Sequence, residues 1–298
     1  MSGVKLSLGP VLFNWPAERK RDFYFRIADE APVDIVYLGE VVCAKRAPFF
    51  DPLIPEVAER LTRAGKQVVH STLALVMDRK EVAAVRALAA APNLLVEAND
   101  MSAIAALAGR PHVVGPFINV YNENTLDYLV RNGAQRVALP VELPAASLKK
   151  LAVMSSVPIE IQGFGRLPLA LSARCYHARA SGLHKDGCQY VCADDPDGQS
   201  VETLDGEPFL AINGTQTLSY AVHSLIGELT ALSRMGVACV RLWPHDLDMV
   251  AVATLFRAVL DGYEDAAAAS ARLAEIVTWA PFAQGFYHGR EGAAAVPS

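Results

Sequence analysis

The sequence predicts an α/β fold of the (β/α)8 TIM-barrel type, a single domain with a cysteine-rich insertion after its seventh strand. Two observations carry this. Eight short β-branched or apolar runs alternate with eight stretches whose apolar residues recur every three or four positions. The runs also end in an unusually polar set of residues, and barrels of this type place their chemistry at the C-terminal ends of their strands. An open doubly wound α/β sheet is the alternative arrangement of the same rhythm.

The elements follow in order. Val4–Leu8 reads as the first strand and Ala17–Ala31 as its helix, then Asp34–Leu38 with Pro55–Ala64 and Lys66–Ser71 with Arg79–Ala91. Leu94–Glu97 pairs with Met101–Ala108, Val113–Val120 with Glu123–Asn132, and Arg136–Val141 with Ala145–Ser155. The seventh strand is Pro158–Gln162, and a long insertion, 164–217, separates it from a helix at Ser219–Met235. Val237–Trp243 and Asp248–Gly262 complete the set. Punctuation agrees: Gly65, Gly133 and Gly236 each close a helical run, and Asp100 and Asn122 stand where helix N-caps belong. The expected division is a barrel over 1–278, insertion included, and an irregular tail over 279–298 with a flexible EGAAAVPS end.

Composition narrows the function. A net charge of −5 with no basic block gives no support for DNA or other non-specific nucleic-acid binding. No apolar run is long enough for an integral membrane segment, and the first residues lack the pattern of a secretory signal. Five cysteines, an odd number, argue against a disulfide framework and for a cytoplasmic location. No Gly-rich phosphate loop follows a strand, and the GFGRL run at Gly163–Leu167 is read as a chance glycine pair. Neither GxSxG nor HExxH occurs, so serine or zinc hydrolysis has no visible machinery.

Three cysteines crowd the insertion: Cys175, twelve residues, Cys188, three residues, Cys192. Cys239 lies within the apolar run VACVRL and is expected in the core. Cys43 follows the second strand and leaves from the same barrel face as the insertion. Cys43, Cys175, Cys188 and Cys192 are therefore expected to meet over the barrel mouth as one metal- or cofactor-binding set. Four thiolates suit an iron–sulfur cluster or zinc. Structural zinc sites usually come as two close pairs, whereas here one CxxxC pair is joined by two dispersed thiols, a pattern that favours the cluster.

Candidate residues lining the mouth are Glu40, His70, Glu97, Asn119, Glu142, Gln162 and Arg174; none is assigned as catalytic. For the three glutamates, ion pairing with Lys45, Arg46 or Arg174 is the competing role. His177 and His184 lie in the cysteine segment as possible ligands, proton carriers or plain loop residues.

Several blocks resemble one known family in order along the chain: SLGPVL at Ser7–Leu12, YLGE and VVCAKR within Tyr37–Arg46, STLALV at Ser71–Val76 and PVEL at Pro140–Leu143. LPLALSARCYHAR at Leu167–Arg179 and NGTQTLS at Asn213–Ser219 continue the series. The family is the collagenase-like peptidases of unknown catalytic type, and the likeness is to its branch in anaerobic ubiquinone biosynthesis. The resemblance implies a 4Fe–4S cluster on Cys43, Cys175, Cys188 and Cys192, with Cys239 outside the set. It further implies a heterodimer with a UbiU-like paralogue and oxygen-independent hydroxylation of the ring of a prenylated aromatic precursor. Prephenate as oxygen source and a sterol-carrier-type lipid-binding accessory protein come with it. Two alternatives accompany this expectation: RNA-base hydroxylation, as in other branches, and a non-catalytic iron–sulfur scaffold for the partner. Proteolysis is not expected, because no nucleophile–base arrangement is visible. A prenylated substrate needs apolar access, and Phe13, Trp15, Phe49 and Phe50 are candidates to line it, to meet a partner or to seal the rim.

Overall fold

Runs of Val, Ile and Leu extend because branched side chains pack well on a pleated surface, and the Gly, Pro and polar residues around them end each strand. The structure, a computed structural model, describes residues 3–296. The first half contains β1 (Lys5–Leu8), α1 (Ala17–Glu30), β2 (Ile35–Leu38), α2 (Ala47–Phe50), α3 (Ile54–Arg63), β3 (Gln67–Ser71) and α4 (Arg79–Ala90). There follow β4 (Val96–Ala98), α5 (Met101–Leu107), β5 (His112–Val114), α6 (Glu123–Arg131), β6 (Ala134–Ala138) and α7 (Ala145–Met154). The remainder holds β7 (Ile159–Leu171), α8 (Tyr176–Ala180), β8 (Gln199–Glu202), β9 (Pro208–Asn213), β10 (Gln216–Ser224), α9 (Leu229–Arg234), β11 (Cys239–Leu242), α10 (Met249–Leu260), α11 (Ala266–Ile276) and β12 (Phe282–Ala283).

Strands β1 to β7 and β11 run parallel, and β11 pairs with both β1 and β7, closing the sheet into an eight-stranded barrel. The open doubly wound alternative is thereby excluded. The main core lies between barrel and helices, where Leu6, Leu8, Val36 and Leu38 meet helix residues such as Tyr24, Ile27, Val57 and Leu61. A smaller cluster of Ile35, Tyr37, Val69, Val113 and Cys239 fills the barrel interior. The N-caps at Asp100 and Asn122 accept backbone N–H groups of Ser102 and Thr125, as read from sequence.

Three departures matter. The seventh strand does not stop at Gln162 but continues for thirteen residues to Leu171. Beyond the barrel it pairs antiparallel with β10, which pairs with β9 and then β8. The insertion is thus a four-stranded arm sharing a strand with the barrel wall. A helix over Ser219–Met235 is wrong in its first half: TLSYAVHS carries a two-residue period and belongs to β10, leaving a 3-10 turn at Ile226–Glu228 that leads into the α-helix Leu229–Arg234. The strand expected over Val113–Val120 ends at Val114, because Gly115 and Pro116 turn the chain into a short 3-10 helix. Within the tail, β12 pairs with β10 and Tyr287 is buried; residues 1–2 of the predicted barrel range and 297–298 of the predicted flexible end lie outside the described residues.

Candidate functional site: a ring of thiols beside the barrel mouth

The chain turns sharply after β2, and Glu40 makes the turn. Its Oε1 accepts the backbone N–H groups of Val42 and Cys43 at 2.8 and 3.0 Å, fixing the loop that presents Cys43. Cys175 begins α8 on the far side, and its sulfur accepts the Ala178 N–H at 3.4 Å. Cys188 and Cys192 follow in a tightly turned segment. All four line one small pocket, together with Lys45, Arg46 and Lys185. No two of the cysteines are joined as a disulfide. Among the described residues no three His, Cys, Asp or Glu side chains converge closely enough to hold a single metal ion.

Several N–H donors and a cation face the thiols. Asn14 Nδ2 donates to Cys192 Sγ at 3.4 Å, and the Lys45 backbone N–H and the Arg46 guanidinium face the sulfurs of Cys43 and Cys192. Burial pushes the Cys43 thiol up, and Arg46 opposes it. Arg46 is itself buried, donating to the Leu12 carbonyl and to Asn213 Oδ1, each at 2.9 Å. Burial alone would pull its proton affinity down; Glu40, Cys192 and Cys43 more than reverse that. Gly214 makes room for it: with φ at +63°, a Cβ there would stand 2.5 Å from Arg46 Nη2. His177, buried on α8, holds Asp195 Oδ2 at 2.8 Å and so ties the Cys175 helix to the chain just after Cys192. His184 is exposed. Four thiols, N–H donors aimed at sulfur and a buried cation fit an anionic thiolate-held cluster in donor chemistry and in charge.

Beside the ring, the barrel mouth opens as a cleft of about 380 Å³. Asn119, Glu142 and Gln162 line it as expected, joined by Phe117, Tyr121, Arg241 and Trp243. Asn119 reaches it from a left-handed turn at φ 60° rather than from a strand end. Glu142 accepts the Tyr121 hydroxyl, and Gln162 Oε1 accepts Trp243 Nε1 at 3.0 Å. A profile of peptidase family U32 matches residues 23–296.

The chain belongs to peptidase family U32. Among solved structures, it is similar to dihydropteroate synthase from Thermus thermophilus, with 15% identity over 87% of this chain and 93% of that one, at a TM-score of 0.44. It is also similar to phospho-2-dehydro-3-deoxyheptonate aldolase from Thermotoga maritima, with 9% identity over 94% and 72% of the two chains and the same TM-score of 0.44.

Not every predicted site residue of this U32 chain reaches the cleft. Glu97 points into the barrel, where Arg241 Nη1 lies 2.7 Å away and Ser71 Oγ donates at 2.7 Å, so its ion-pair partner is Arg241 and none of the three cations expected. Glu40 shapes the Cys43 loop, and His70, half-buried with its proton affinity lowered by burial, faces a slot outside the barrel wall. Arg174 is exposed and lines neither the cleft nor the thiol pocket. Phe13, Trp15 and Phe50 are buried in the main core, whereas Phe49 is 52% exposed. Cys239 sits in the barrel core, its thiol pushed up by burial.

Sequence reasoning missed the charged floor of the mouth. Arg241 Nε bonds Glu160 Oε1 at 2.8 Å, Arg136 Nε lies 3.0 Å from Glu160 Oε2, and Ser7 and Tyr37 both donate to the same carboxylate. Burial pushes the Glu160 carboxyl up, but Arg241 and Arg136 outweigh it and bring it to about 2. The signal was present: Arg136, Glu160 and Arg241 are charges inside apolar strand runs, and such charges face inward only when they find one another.

Proposed function

We propose that this chain is the UbiV-type subunit of an oxygen-independent hydroxylase, holding a 4Fe–4S cluster on Cys43, Cys175, Cys188 and Cys192. It acts on the aromatic ring of a prenylated ubiquinone precursor as a heterodimer with a UbiU-like paralogue. The observation that carries the reading is the single pocket ringed by those four thiols, with Arg46 and N–H donors set against their sulfurs. Bound there, the cluster supplies one-electron transfer. The chain's own residues do the rest. Glu40 and His177 hold the ligand loops, Arg46 balances the charge of the thiolates, and the cleft of Asn119, Tyr121, Glu142 and Gln162 offers donors and acceptors to a polar ring. Prephenate as oxygen donor and a sterol-carrier-type lipid-binding protein complete the proposed system, in the cytoplasm.

The test is anaerobic purification with iron and sulfide analysis and an absorption spectrum. About four iron and four sulfide per chain are expected, falling to background in Cys43→Ala and Cys175→Ala. One zinc per colourless chain would overturn the cluster. Ubiquinone is then measured in an anaerobically grown deletion strain; normal ubiquinone with a missing RNA modification would transfer the reading to the RNA branch. Cluster-loaded protein whose mouth variants Glu142→Gln and Asn119→Ala leave ring hydroxylation unchanged would favour a scaffold role for this subunit.

A further inference from the structure

The helix layer around the barrel has a gap. Helix α3 packs on α1 and α4 packs on α5, but α3 and α4 part, and a slot of about 960 Å³ opens between them. That volume lies at the upper end of small-molecule sites. The slot has a direction. Its charged lining, including Glu40, Lys45, Asp78 and Lys80, comes from the loops after β2 and β3 and the first turn of α4, all at the mouth end. His70, Ser71 and Thr72 stand at the same end, and no hydrogen bond engages the His70 ring among the described residues. Toward the other end the walls are Ala58, Ala84, Val85, Leu88 and Leu94, with no charged side chain among them. Lys80 to Leu88 alone is about 12 Å of helix at 1.5 Å per residue.

We propose that this slot binds the isoprenoid tail of the substrate, which leaves it at the His70–Glu40 end, where Leu73 of the slot is followed by Ala74 of the mouth cleft that takes the aromatic head. The assignment rests on the function proposed above for the substrate's chemistry, and on the slot itself for the rest. A peptide laid against Ala58, Ala84, Val85 and Leu88 would bury backbone polar groups with nothing to bond them, since the helix backbones are already paired. A hydrocarbon chain carries no such groups. The slot's polarity, charged at one end and apolar at the other, matches an amphiphile in one orientation only. Lys45 lines both the slot and the thiol pocket, so the polar end of the slot lies next to the thiols.

The experiment is calorimetric titration of the purified protein with 4-hydroxybenzoate, with the same ring carrying a farnesyl chain, and with palmitate. The farnesylated ring is expected to bind at least tenfold more tightly than the other two. Ala84→Trp, at an exposed helix position, fills the slot and is expected to weaken that binding tenfold or more, with unchanged iron content and melting temperature; Ala58→Trp approaches from the opposite wall as a second block. Equal affinity with and without the farnesyl chain, palmitate binding as tightly, or folded tryptophan variants that bind as wild type would each overturn the assignment. The titration is run on iron-loaded and iron-stripped protein. Tail binding that survives in a protein shown to hold no cluster keeps the slot while the hydroxylase reading fails; an active hydroxylase indifferent to both tryptophan variants fails the slot alone.

Discussion

Replacing the Glu160 carboxylate by an amide leaves two guanidinium groups, Arg241 and Arg136, facing each other's charge inside the barrel. Breaking a buried pair from one side costs about 3–5 kcal/mol, so Glu160→Gln is expected to lower the urea midpoint by that equivalent. The same carboxyl links stability to acid. Its proton affinity is depressed from an ordinary 4.5 to about 2, so its contribution is complete above about pH 4.5 and lost as pH falls toward 2. The unfolded chain takes the proton first. Urea melts at pH 7, 4.5 and 3 are expected to show wild type losing on the order of 2 kcal/mol more than Glu160→Gln over the lower interval. At the thiol ring, Gly214→Ala combines left-handed backbone strain of about 1 kcal/mol with a Cβ driven against Arg46. Modest destabilisation and a lowered iron content after anaerobic purification are expected; full iron retention would show that Arg46 does not support the site.

Among the elements, α8 is the one whose loss the thiol ring would feel most. It is five residues long, too short to stand alone, and His177 fastens it to Asp195. His177→Ala is expected to speed amide exchange in Tyr176–Ala180 and in the Val191–Ala193 turn while leaving exchange in β1 to β6 unchanged. Uniform acceleration would mean that the pair holds the whole fold rather than the site. This element also marks where the sequence ran short. Cys43 and Cys175 were joinable on paper because barrel topology sends both loops off one face, and Asn119, Glu142 and Gln162 follow from the same rule. The His177–Asp195 tie was not readable, since a short helix and a 3-10 turn give no period. Glu97 was misplaced because a strand-end carboxylate and an inward-facing one differ by a single step of the pleat. Half of the helix expected at Ser219–Met235 became strand because its partner, the far end of β7, was assigned to a loop.

At the scale of the molecule, closure gathers several features around one rim: the thiol-bearing loops after β2 and β7, cleft residues from β7, β11 and the loops after β5 and β6, and the polar end of the slot between α3 and α4. The slot could not be read from sequence, because it arises from the spacing of two helices, and periodicity reports only that each has an apolar face. The barrel interior, by contrast, is built on one connected charge network, so strand pairing and ion pairing stand or fall together. Arg241→Met, which leaves Glu97 without its cation and Glu160 with Arg136 alone, is expected to abolish cooperative near-ultraviolet melting at neutral pH; a melt as cooperative as that of wild type would show that the network does not hold the barrel together.

Strand β7 has a further consequence. Its first residues are bonded on both sides to barrel neighbours, β6 and β11, and its last residues belong to the arm with β10. One strand cannot tilt at one end without twisting at the other. The arm that carries three of the four thiols is therefore geared to the barrel wall at Gln162, and a load applied to the arm from outside is delivered as torsion to the wall of the mouth cleft.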